Sequence, residues 1–528
     1  RCTDACCMPC TTARLRAASG HTLRMISVCR ALLALFVVSA LTACGSDPTR
    51  VRVEQGEARG LAQDGVRVFR SLPYAAAPVG ALRWRAPQPA PRWNGVRDAT
   101  TPGPLCTQNT AGADWGPWTG GLAPHGAVSE DCLTLSVWTP AQSANESLPV
   151  MFWIPGGGFT DGGEAMPVSD GAALARRGII VVSINYRLNA FGLLAHPALQ
   201  PEPDGAYGNY TLRDALAALE WVHANIGAFG GDPNRVTIAG QSAGAALAYI
   251  MLDSPRASGL FHGAILQSAP PGSETLPDRG PAELVGAQVA ASLHADDVAH
   301  MRAASAAAVL AAQADGLNLY VDNVLITDPH FAAPPYLNDV PIMAGITADE
   351  ASWMSPNLAR YRETAARYGG EFSRLYPATT DAEALDAVLR SDREGTMVGL
   401  ERWARATRGG APLYLYLWDH PMPGPAATRW RAFHSSEVPY VFGSFAALPE
   451  RSFTATDHAI SERMLEYWAN FVKTGDPNGA RGGAWPRADV DMPTFMELGD
   501  RFAPMAPLPD EVSRFFNTYD DANGQYRF

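Results

Sequence analysis

The sequence predicts an α/β fold in which a large, mostly parallel central sheet carries helices on both faces. Short apolar runs without polar alternation are typical of strands buried on both faces of such a sheet, and they occupy residues 148–154, 179–186, 235–240, 264–269, 341–346 and 412–418. Helical patterns lie between these runs, the clearest over residues 212–226. This alternation of strands and helices predicts right-handed crossovers and a sheet covered on both sides.

Length and composition agree with one large domain. The chain has 528 residues, of which 47% are hydrophobic, and this is enough for an extensive buried core. No internal repeat or interdomain linker interrupts the pattern, and the alanine-rich stretch 281–315 predicts helical insertions outside the sheet. The formal net charge of −12 argues against a nucleic-acid partner.

Residues 1–43 are interpreted as an upstream segment followed by a signal peptide. Arg30 precedes about a dozen apolar residues, a run too short for a comfortable membrane span. The run ends in Leu-Thr-Ala-Cys, which resembles a bacterial lipobox and implies that Cys44 is lipidated and becomes the first mature residue. An ordinary cleaved signal is the alternative. We expect residues 44–528 to form a single exported domain, either a lipoprotein of the bacterial periplasm or outer membrane or a secreted protein. A lipid at Cys44 would be its only membrane contact.

The cysteines divide between this leader and the globular part. Of the eight, only Cys106 and Cys132 lie beyond Cys44. Two cysteines in an exported chain predict one disulfide bond between them.

The most informative motif is Gly240-Gln241-Ser242-Ala243-Gly244, which directly follows the predicted strand 235–240. A serine hydroxyl needs a base within reach to act as a nucleophile. A sharp turn from strand to helix exposes the hydroxyl above the sheet edge, and its crowding requires glycine on both sides. Such a pattern also arises by chance, so the assignment of Ser242 needs support from the surrounding sequence.

A second glycine-rich segment provides that support. The strand at 148–154 runs into three consecutive glycines at 156–158. Attack on an ester carbonyl creates an oxyanion that needs fixed N–H donors, and a glycine loop lets the backbone approach closely. A flexible turn is the alternative. A phosphate-binding loop is disfavoured because no Gly-Lys-Ser/Thr follows.

Several long motifs occur in the order of one known family: "LPYAAAPVGALRWRAPQPAPRWNGV", "SEDCLTLSVWTP", "GNYTLRDALAALEWVHANIGAFGGDPNRVTIAGQSAGA" and "YWANFVKTGDPNG". With them the chain resembles the type B carboxylesterases, which are cholinesterase-like and para-nitrobenzyl-esterase-like α/β-hydrolases. The resemblance covers nearly the whole predicted mature chain. It implies the α/β-hydrolase fold and serine-dependent hydrolysis of carboxylic esters through an acyl-enzyme, without a cofactor.

The resemblance also implies the partners of the serine. Glu350 in "GITADEAS" matches the family's catalytic acid, with Asp349 as the fallback, and His434 in "FHSSEVPYVFG" matches its histidine. The order serine, acid, histidine is the one expected of α/β-hydrolases. His420 in "WDHP" is the nearest competing histidine.

Further roles rest on the same resemblance. The oxyanion hole is assigned to the N–H groups of Gly157, Gly158 and Ala243. Structural ion pairs are assigned to Arg83 with Glu130 and to Arg187 with Asp214, with solvated charges as the alternative. No metal site is expected, because His294 and His300 stand six residues apart and share no helix face.

Two departures from the family bear on the substrate. Gln241 stands where cholinesterases carry glutamate, which argues against cationic choline esters. The loop between Cys106 and Cys132 carries Trp115 and Trp118, which form an aromatic lip over the pocket or merely pack; a lip would suit an aromatic ester.

Two rival functions remain. A cholinesterase-like binding or adhesion module without activity is one, although Ser242, Glu350 and His434 are all present. An acyl transferase, or a hydrolase of amides or carbamates, is the other, because the same triad serves all acyl transfers. The sequence does not assign an oligomeric state.

Overall fold

A computed structural model describes residues 47–110, 115–199, 201–203, 205–270, 275–329, 336–479, 485–489 and 491–523. Residues Thr49–Phe528 form one compact unit. The described residues do not include Cys44, the signal segment or the expected boundary between residues 43 and 44. The lipidation of Cys44, the signal segment and its boundary therefore stay predictions. Among the residues that are described, no helix combines the length and the apolar character needed to cross a membrane.

The strands are β1 to β16 in chain order: Arg50–Val53, Gly56–Arg59, Leu61–Gln63, Val66–Pro73, Val96–Asp98, Leu105–Cys106, Val128–Ser129, Thr134–Thr139, Leu148–Ile154, Ile180–Ile184, Gly231–Gln241, Gly263–Gln267, Ile342–Thr347, Leu413–Trp418, Phe495–Leu498 and Phe502–Pro504. The α-helices are α1 to α14: Ala172–Ala175, Asn189–Leu193, Tyr210–Asn225, Ala243–Leu252, Arg279–Ser292, Val298–Ala303, Ala306–Ala311, Leu358–Tyr368, Gly370–Leu375, Asp381–Ala406, Ala427–Trp430, Val438–Phe442, Ala455–Thr474 and Asp510–Asn523. Short 3₁₀ turns cover Gly80–Leu82, Gly120–Leu122, Pro167–Ser169, Ile226–Phe229, Pro255–Ala257, Glu350–Met354 and Phe445–Ala447.

The central sheet contains eleven of the described strands, in the order β16-β15-β14-β13-β12-β11-β9-β10-β8-β4-β3. The block from β15 to β10 is parallel throughout, and antiparallel strands flank it on both sides. The predicted α/β architecture is confirmed, because each of the six apolar runs forms a strand of this parallel block. Their residues are buried on both faces, which is why the runs show no polar alternation.

Helices connect and cover the strands as expected. The predicted helix at 212–226 is α3, and the alanine-rich stretch forms α5, α6 and α7 outside the sheet. Helices α1, α3, α4 and α13 pack against the central strands. Most of α3 is buried, so the chain has to place two charged residues of this helix, Arg213 and Asp214, in the interior.

The structure brings together both pairs of predicted ion-pair partners. Arg187 donates to both carboxylate oxygens of Asp214 at 2.7 and 2.6 Å, and both side chains are almost completely buried. Arg83 binds Glu130 in the same bidentate way at 2.7 and 2.5 Å. Geometry of this kind compensates much of the cost of taking two charges out of water.

The two cysteines of the globular part form the expected disulfide bond, between Cys106 and Cys132. The bond closes the loop that carries Trp115 and Trp118. Arg451 holds the same loop from the opposite side, because its guanidinium donates to the Pro117 carbonyl at 2.6 Å.

We predict that Asp214→Asn destabilises the fold by about 3–5 kcal/mol, because it leaves the buried Arg187 without its carboxylate. The matched control is Glu220→Gln on the same helix. Glu220 pairs with Arg256 at the surface, with side chains 45% and 38% exposed, and its loss should cost at most about 1 kcal/mol. Chemical denaturation of both variants measures the difference, and equal losses would contradict the prediction.

Candidate active site

The candidate residues follow neighbouring strands whose carboxyl ends meet at one edge of the sheet. Strands β9, β11, β12, β13 and β14 are adjacent and parallel. Ligand sites in open α/β sheets form at such edges. The residues found there are Gly157 and Gly158 after β9, Ser242 after β11, Ser268 after β12, Glu350 after β13 and His434 in the loop after β14.

Ser242 occupies the turn between the end of β11 and the start of α4. Its backbone angles are φ +55° and ψ −128°. This conformation is strained for a residue with a side chain and costs about 1–3 kcal/mol. The backbone therefore holds the serine in the sharp turn that the sequence motif predicted.

Close packing explains the glycines on both sides of the serine. A Cβ at Gly240 would overlap the backbone of Gly244, and a Cβ at Gly244 would overlap the carbonyl oxygen of Ile154 at the end of β9. Glycine is thus required by the contact between the turn and the neighbouring strand.

Gly157, Gly158 and Ala243, the first residue of α4, line the same cavity as Ser242, and each has a backbone N–H group. None of the three donates a hydrogen bond to another described residue. Gly157 and Gly158 have φ angles of +115° and +58°, which keep the loop in a shape that favours glycine. Free donors fixed by the backbone are what an oxyanion requires.

Glu350 and His434 form the closest contact in the site. The Oε2 atom of Glu350 lies 2.5 Å from Nδ1 of His434. The backbone sets this distance, because Asp349 and Phe433, the residues just before the pair, form a parallel β-bridge. The side chains are consequently brought together although 84 residues separate them in sequence.

Electrostatics fixes the charge of this pair. Burial alone would raise the pKa of Glu350, but the attraction and hydrogen bond of His434 outweigh it and hold that pKa below its usual value. Burial lowers the pKa of His434, but Glu350, with a smaller contribution from Glu437, raises it above the ordinary imidazole value. Glu350 is therefore a carboxylate at neutral pH, and Nδ1 of His434 carries a proton.

The opposite side of the imidazole faces Gln241. The amide nitrogen Nε2 of Gln241 lies 3.1 Å from Nε2 of His434. Ser242 lines the same cavity as His434 and Glu350. Within the part of the chain that the structure describes, the Ser242 hydroxyl makes no side-chain hydrogen bond.

The alternatives to Glu350 and His434 lie elsewhere. Asp349 faces away from the imidazole and accepts a hydrogen bond from the backbone N–H of Ala432 at 3.3 Å. His420 lies between Asp457 and Asp500, at 3.0 and 2.8 Å, and does not line the cavity. Across the described ranges, no group of three His, Cys, Asp or Glu side chains is arranged to hold a metal ion.

The cavity has a volume of about 1050 Å³ and an aromatic wall. Trp118 donates from its indole nitrogen to the His434 carbonyl at 3.1 Å, and its ring centroid lies 5.5 Å from that of Trp353. Trp115 also lines the cavity. Trp118 therefore both braces the histidine loop and contributes to the cavity wall. The loop between Cys106 and Cys132 thus combines the aromatic lip and the packing role that the sequence analysis gave as alternatives.

The sequence did not predict the positions that three residues take around the catalytic candidates. Ser268 lines the same cavity as Glu350, and its buried hydroxyl has no hydrogen-bond partner among the described residues. Its position at the carboxyl end of the predicted strand 264–269 was an available signal. Trp353 stands three residues after Glu350 without a motif of its own, and nothing in the sequence places the Gln241 amide at His434.

Glu437 is a buried carboxyl one turn away from the histidine. One oxygen accepts a hydrogen bond from Gln267 Nε2 at 2.9 Å, and Gln267 in turn accepts one from the indole of Trp468 at 3.0 Å. The other oxygen, Oε2, has no partner among the described residues. Burial raises the pKa of Glu437 to about 7. This network of buried side chains braces the loop that carries His434.

Comparison with known proteins gives a consistent picture. The profile described as "Carboxylesterase family" matches residues 47–386 and 391–513. The chain is 36% identical over 508 residues to the fumonisin B1 esterase of Sphingopyxis macrogoltabida, covering 89% of this chain and 92% of that protein. It is 32% identical over 475 residues to the human cocaine esterase, covering 81% and 83%. Among solved structures it resembles PNB esterase with a TM-score of 0.75 and 28% identity, covering 89% of this chain and 99% of that one.

We predict that Glu437→Gln raises the melting temperature at pH 8 by a few degrees and has little effect at pH 5. The unfolded carboxyl ionises near pH 4.5 and the folded one near pH 7, so its burial destabilises the protein increasingly over that interval and fully above it. At about 1.4 kcal/mol per pH unit, the penalty at pH 8 is roughly 3 kcal/mol. Thermal unfolding across this pH range tests the prediction; a gain that does not depend on pH would contradict it.

Proposed function

Because the chain belongs to the carboxylesterase family and is a carboxylic ester hydrolase, we propose that its reaction runs through Ser242, His434 and Glu350. The observation that carries this proposal is the 2.5 Å contact between Glu350 and His434 in the cavity that also contains the strained Ser242. A nucleophile, a base and a group that orients the base are the parts that acyl transfer by serine requires.

The first half of the reaction transfers the acyl group to the enzyme. The Oγ atom of Ser242 attacks the ester carbonyl carbon while its proton passes to Nε2 of His434. The carbonyl electron pair moves onto the oxygen, which the N–H groups of Gly157, Gly158 and Ala243 stabilise. Glu350 stabilises the imidazolium ion. The tetrahedral intermediate then expels the alcohol, which takes the proton from Nε2.

The second half returns the free enzyme. Water gives a proton to Nε2 of His434 and attacks the acyl-enzyme, so that a second oxyanion forms in the same N–H cradle. Collapse of this intermediate breaks the bond to Oγ and releases the acid. Ser242 regains its proton from the imidazolium.

The cavity wall favours an ester with an aromatic group. Trp118 and Trp353 present neighbouring rings, and Trp353 is 45% exposed at the cavity surface. Aromatic pairs contribute about 0.5–1.5 kcal/mol beyond the area they bury. The names of the relatives, a fumonisin B1 esterase and a cocaine esterase, describe those proteins; for this chain we propose aromatic carboxylic esters as a preferred class.

We further propose that the protein is exported and anchored by a lipid at Cys44. The apolar segment that ends in Leu-Thr-Ala-Cys supports this, as does the start of the family match at residue 47, just after that segment. The disulfide bond between Cys106 and Cys132 is consistent with an oxidising compartment.

We predict that Ser242→Ala and His434→Asn each lower kcat on p-nitrophenyl butyrate by at least about a thousandfold, because they remove the nucleophile and the base. A fluorophosphonate probe should label the wild type at Ser242 and fail to label Ser242→Ala. His300→Asn, an exposed histidine outside the cavity, serves as the control with unchanged activity. Substantial turnover by Ser242→Ala would exclude the proposed mechanism.

We predict that Trp353→Ala raises KM for p-nitrophenyl benzoate by roughly two- to tenfold, corresponding to the loss of one aromatic contact. With p-nitrophenyl butyrate the change should be smaller, since that acyl group has no ring. Leu284→Ala, which truncates an exposed apolar side chain away from the cavity, controls for surface effects. A similar change in KM for both esters would rule out an aromatic preference at this wall.

A further inference from the structure

Gln241 has a side chain that the proposed reaction does not use, and it contacts the atom on which the reaction depends. It is the last residue of β11, directly before Ser242, and its side chain is buried, 4% exposed. Its amide nitrogen lies 3.1 Å from Nε2 of His434. That imidazole nitrogen has to receive the proton of Ser242.

The hydrogen-bond inventory fixes the direction of this contact. Glu350 is a carboxylate and accepts, so Nδ1 of His434 donates to it. In a neutral imidazole the other nitrogen is then an acceptor. The amide of Gln241 therefore donates to Nε2, and this contact favours the neutral imidazole, which is the form that acts as a base.

The same contact disfavours the opposite state. When His434 is protonated, Nε2 becomes a donor and faces an N–H group with which it has no favourable contact. The oxygen Oε1 of Gln241, which could accept from it, lies on the side of Gly156.

We propose that Gln241 is a positioning residue of the proton transfer: its amide donates to Nε2 of neutral His434, favours the form of the imidazole that acts as a base, and yields that atom to Ser242 during attack. This deepens the proposed function and rests on it, because it assigns His434 as the base. Gln241 itself gains and loses no proton.

The other groups around His434 do not favour the neutral imidazole. From the turn after β13, Glu350 faces Nδ1, and from the start of α12, Glu437 adds a second carboxyl; both favour the imidazolium. Trp118, from the disulfide-closed loop, carries no charge and binds the backbone carbonyl of His434 instead. Gln241 is consequently the neighbour on the Nε2 side whose amide favours the neutral ring.

Two substitutions separate the roles of the amide. Gln241→Met keeps the volume and removes both donor and acceptor. Gln241→Glu offers an acceptor only, with a negative charge, and favours the imidazolium. In the pH profile of kcat/KM for p-nitrophenyl butyrate, the acid limb should move to higher pH in the order wild type, Met variant, Glu variant. We expect a displacement of about half a pH unit for methionine, the equivalent of one neutral hydrogen bond, and of roughly one to three pH units for glutamate.

The matched control removes a buried carboxamide elsewhere. Gln108 is buried and binds the backbone of Gly162 at 2.8 Å through both its donor and its acceptor, without contacting His434. Gln108→Met should leave the acid limb where it is in the wild type, whatever its effect on stability. Titration of active sites with a fluorophosphonate corrects each pH profile for the folded fraction of the enzyme. If the glutamate variant does not fold, the displacement in the methionine variant alone tests the role of Gln241.

The outcomes separate this inference from the proposed function. Three results would overturn the role of Gln241, provided the probe labels Ser242 in the wild type. They are an acid limb that stays in place, an acid limb displaced to lower pH, and a loss of kcat/KM that is equal at every pH. Absence of labelling at Ser242 would overturn the proposed function itself. The ordered displacement, with Gln108→Met unchanged, supports the inference.

Discussion

The contact between the Glu350 carboxylate and the His434 imidazole is the interaction on which the site depends. Two loops from neighbouring strands have to meet for it to form, and the parallel pairing of β13 with β14 places their starting points side by side. The bridge between Asp349 and Phe433 then sets the two side chains to within 2.5 Å. Because the side chains are only 22% and 15% exposed, each partner strongly affects the charge of the other, and the proton on Nδ1 follows.

Burial affects the two carboxyls near this histidine in opposite ways. Glu350 lies against the imidazole of His434 and accepts a hydrogen bond from the backbone N–H of Thr347, so its charge is compensated. Glu437 accepts from the Gln267 amide on one oxygen, while the other oxygen has no hydrogen-bond partner among the described residues, and burial raises its pKa to about 7. The same acid in two environments thus gives one permanent carboxylate and one that titrates near neutral pH. The environment of a carboxyl, more than its residue type, decides whether it can orient the base.

The loop closed by the disulfide bond links the rim of the cavity to its reactive centre. Trp118 contributes a ring to the wall and donates to the His434 carbonyl. Arg451 fixes the neighbouring Pro117 carbonyl and also lies over the ring of Phe433, beside His434. A ligand that contacts this wall therefore touches elements that also position His434, the proposed base.

The sequence by itself determined the strands and the turn that carries the serine, and its family motifs predicted the partners of that serine. Buried parallel strands leave a local signature in continuous apolar runs, and the crowded turn leaves one in Gly240 and Gly244, because both follow from contacts within a short stretch of chain. The assignments of Glu350 and His434 came from motifs that resemble a family, since no local rule links residues 84 positions apart.

Only the tertiary structure decided which groups meet around the imidazole. Glu350 contacts it while Asp349 turns away, Gln241 faces Nε2, and Trp118 and Trp353 come together from distant segments. These outcomes depend on the register of β13 against β14, on the strained backbone of Ser242 and on the path of the disulfide-closed loop. Each is set by long-range packing, and side-chain direction at the end of a strand changes with a single residue of register.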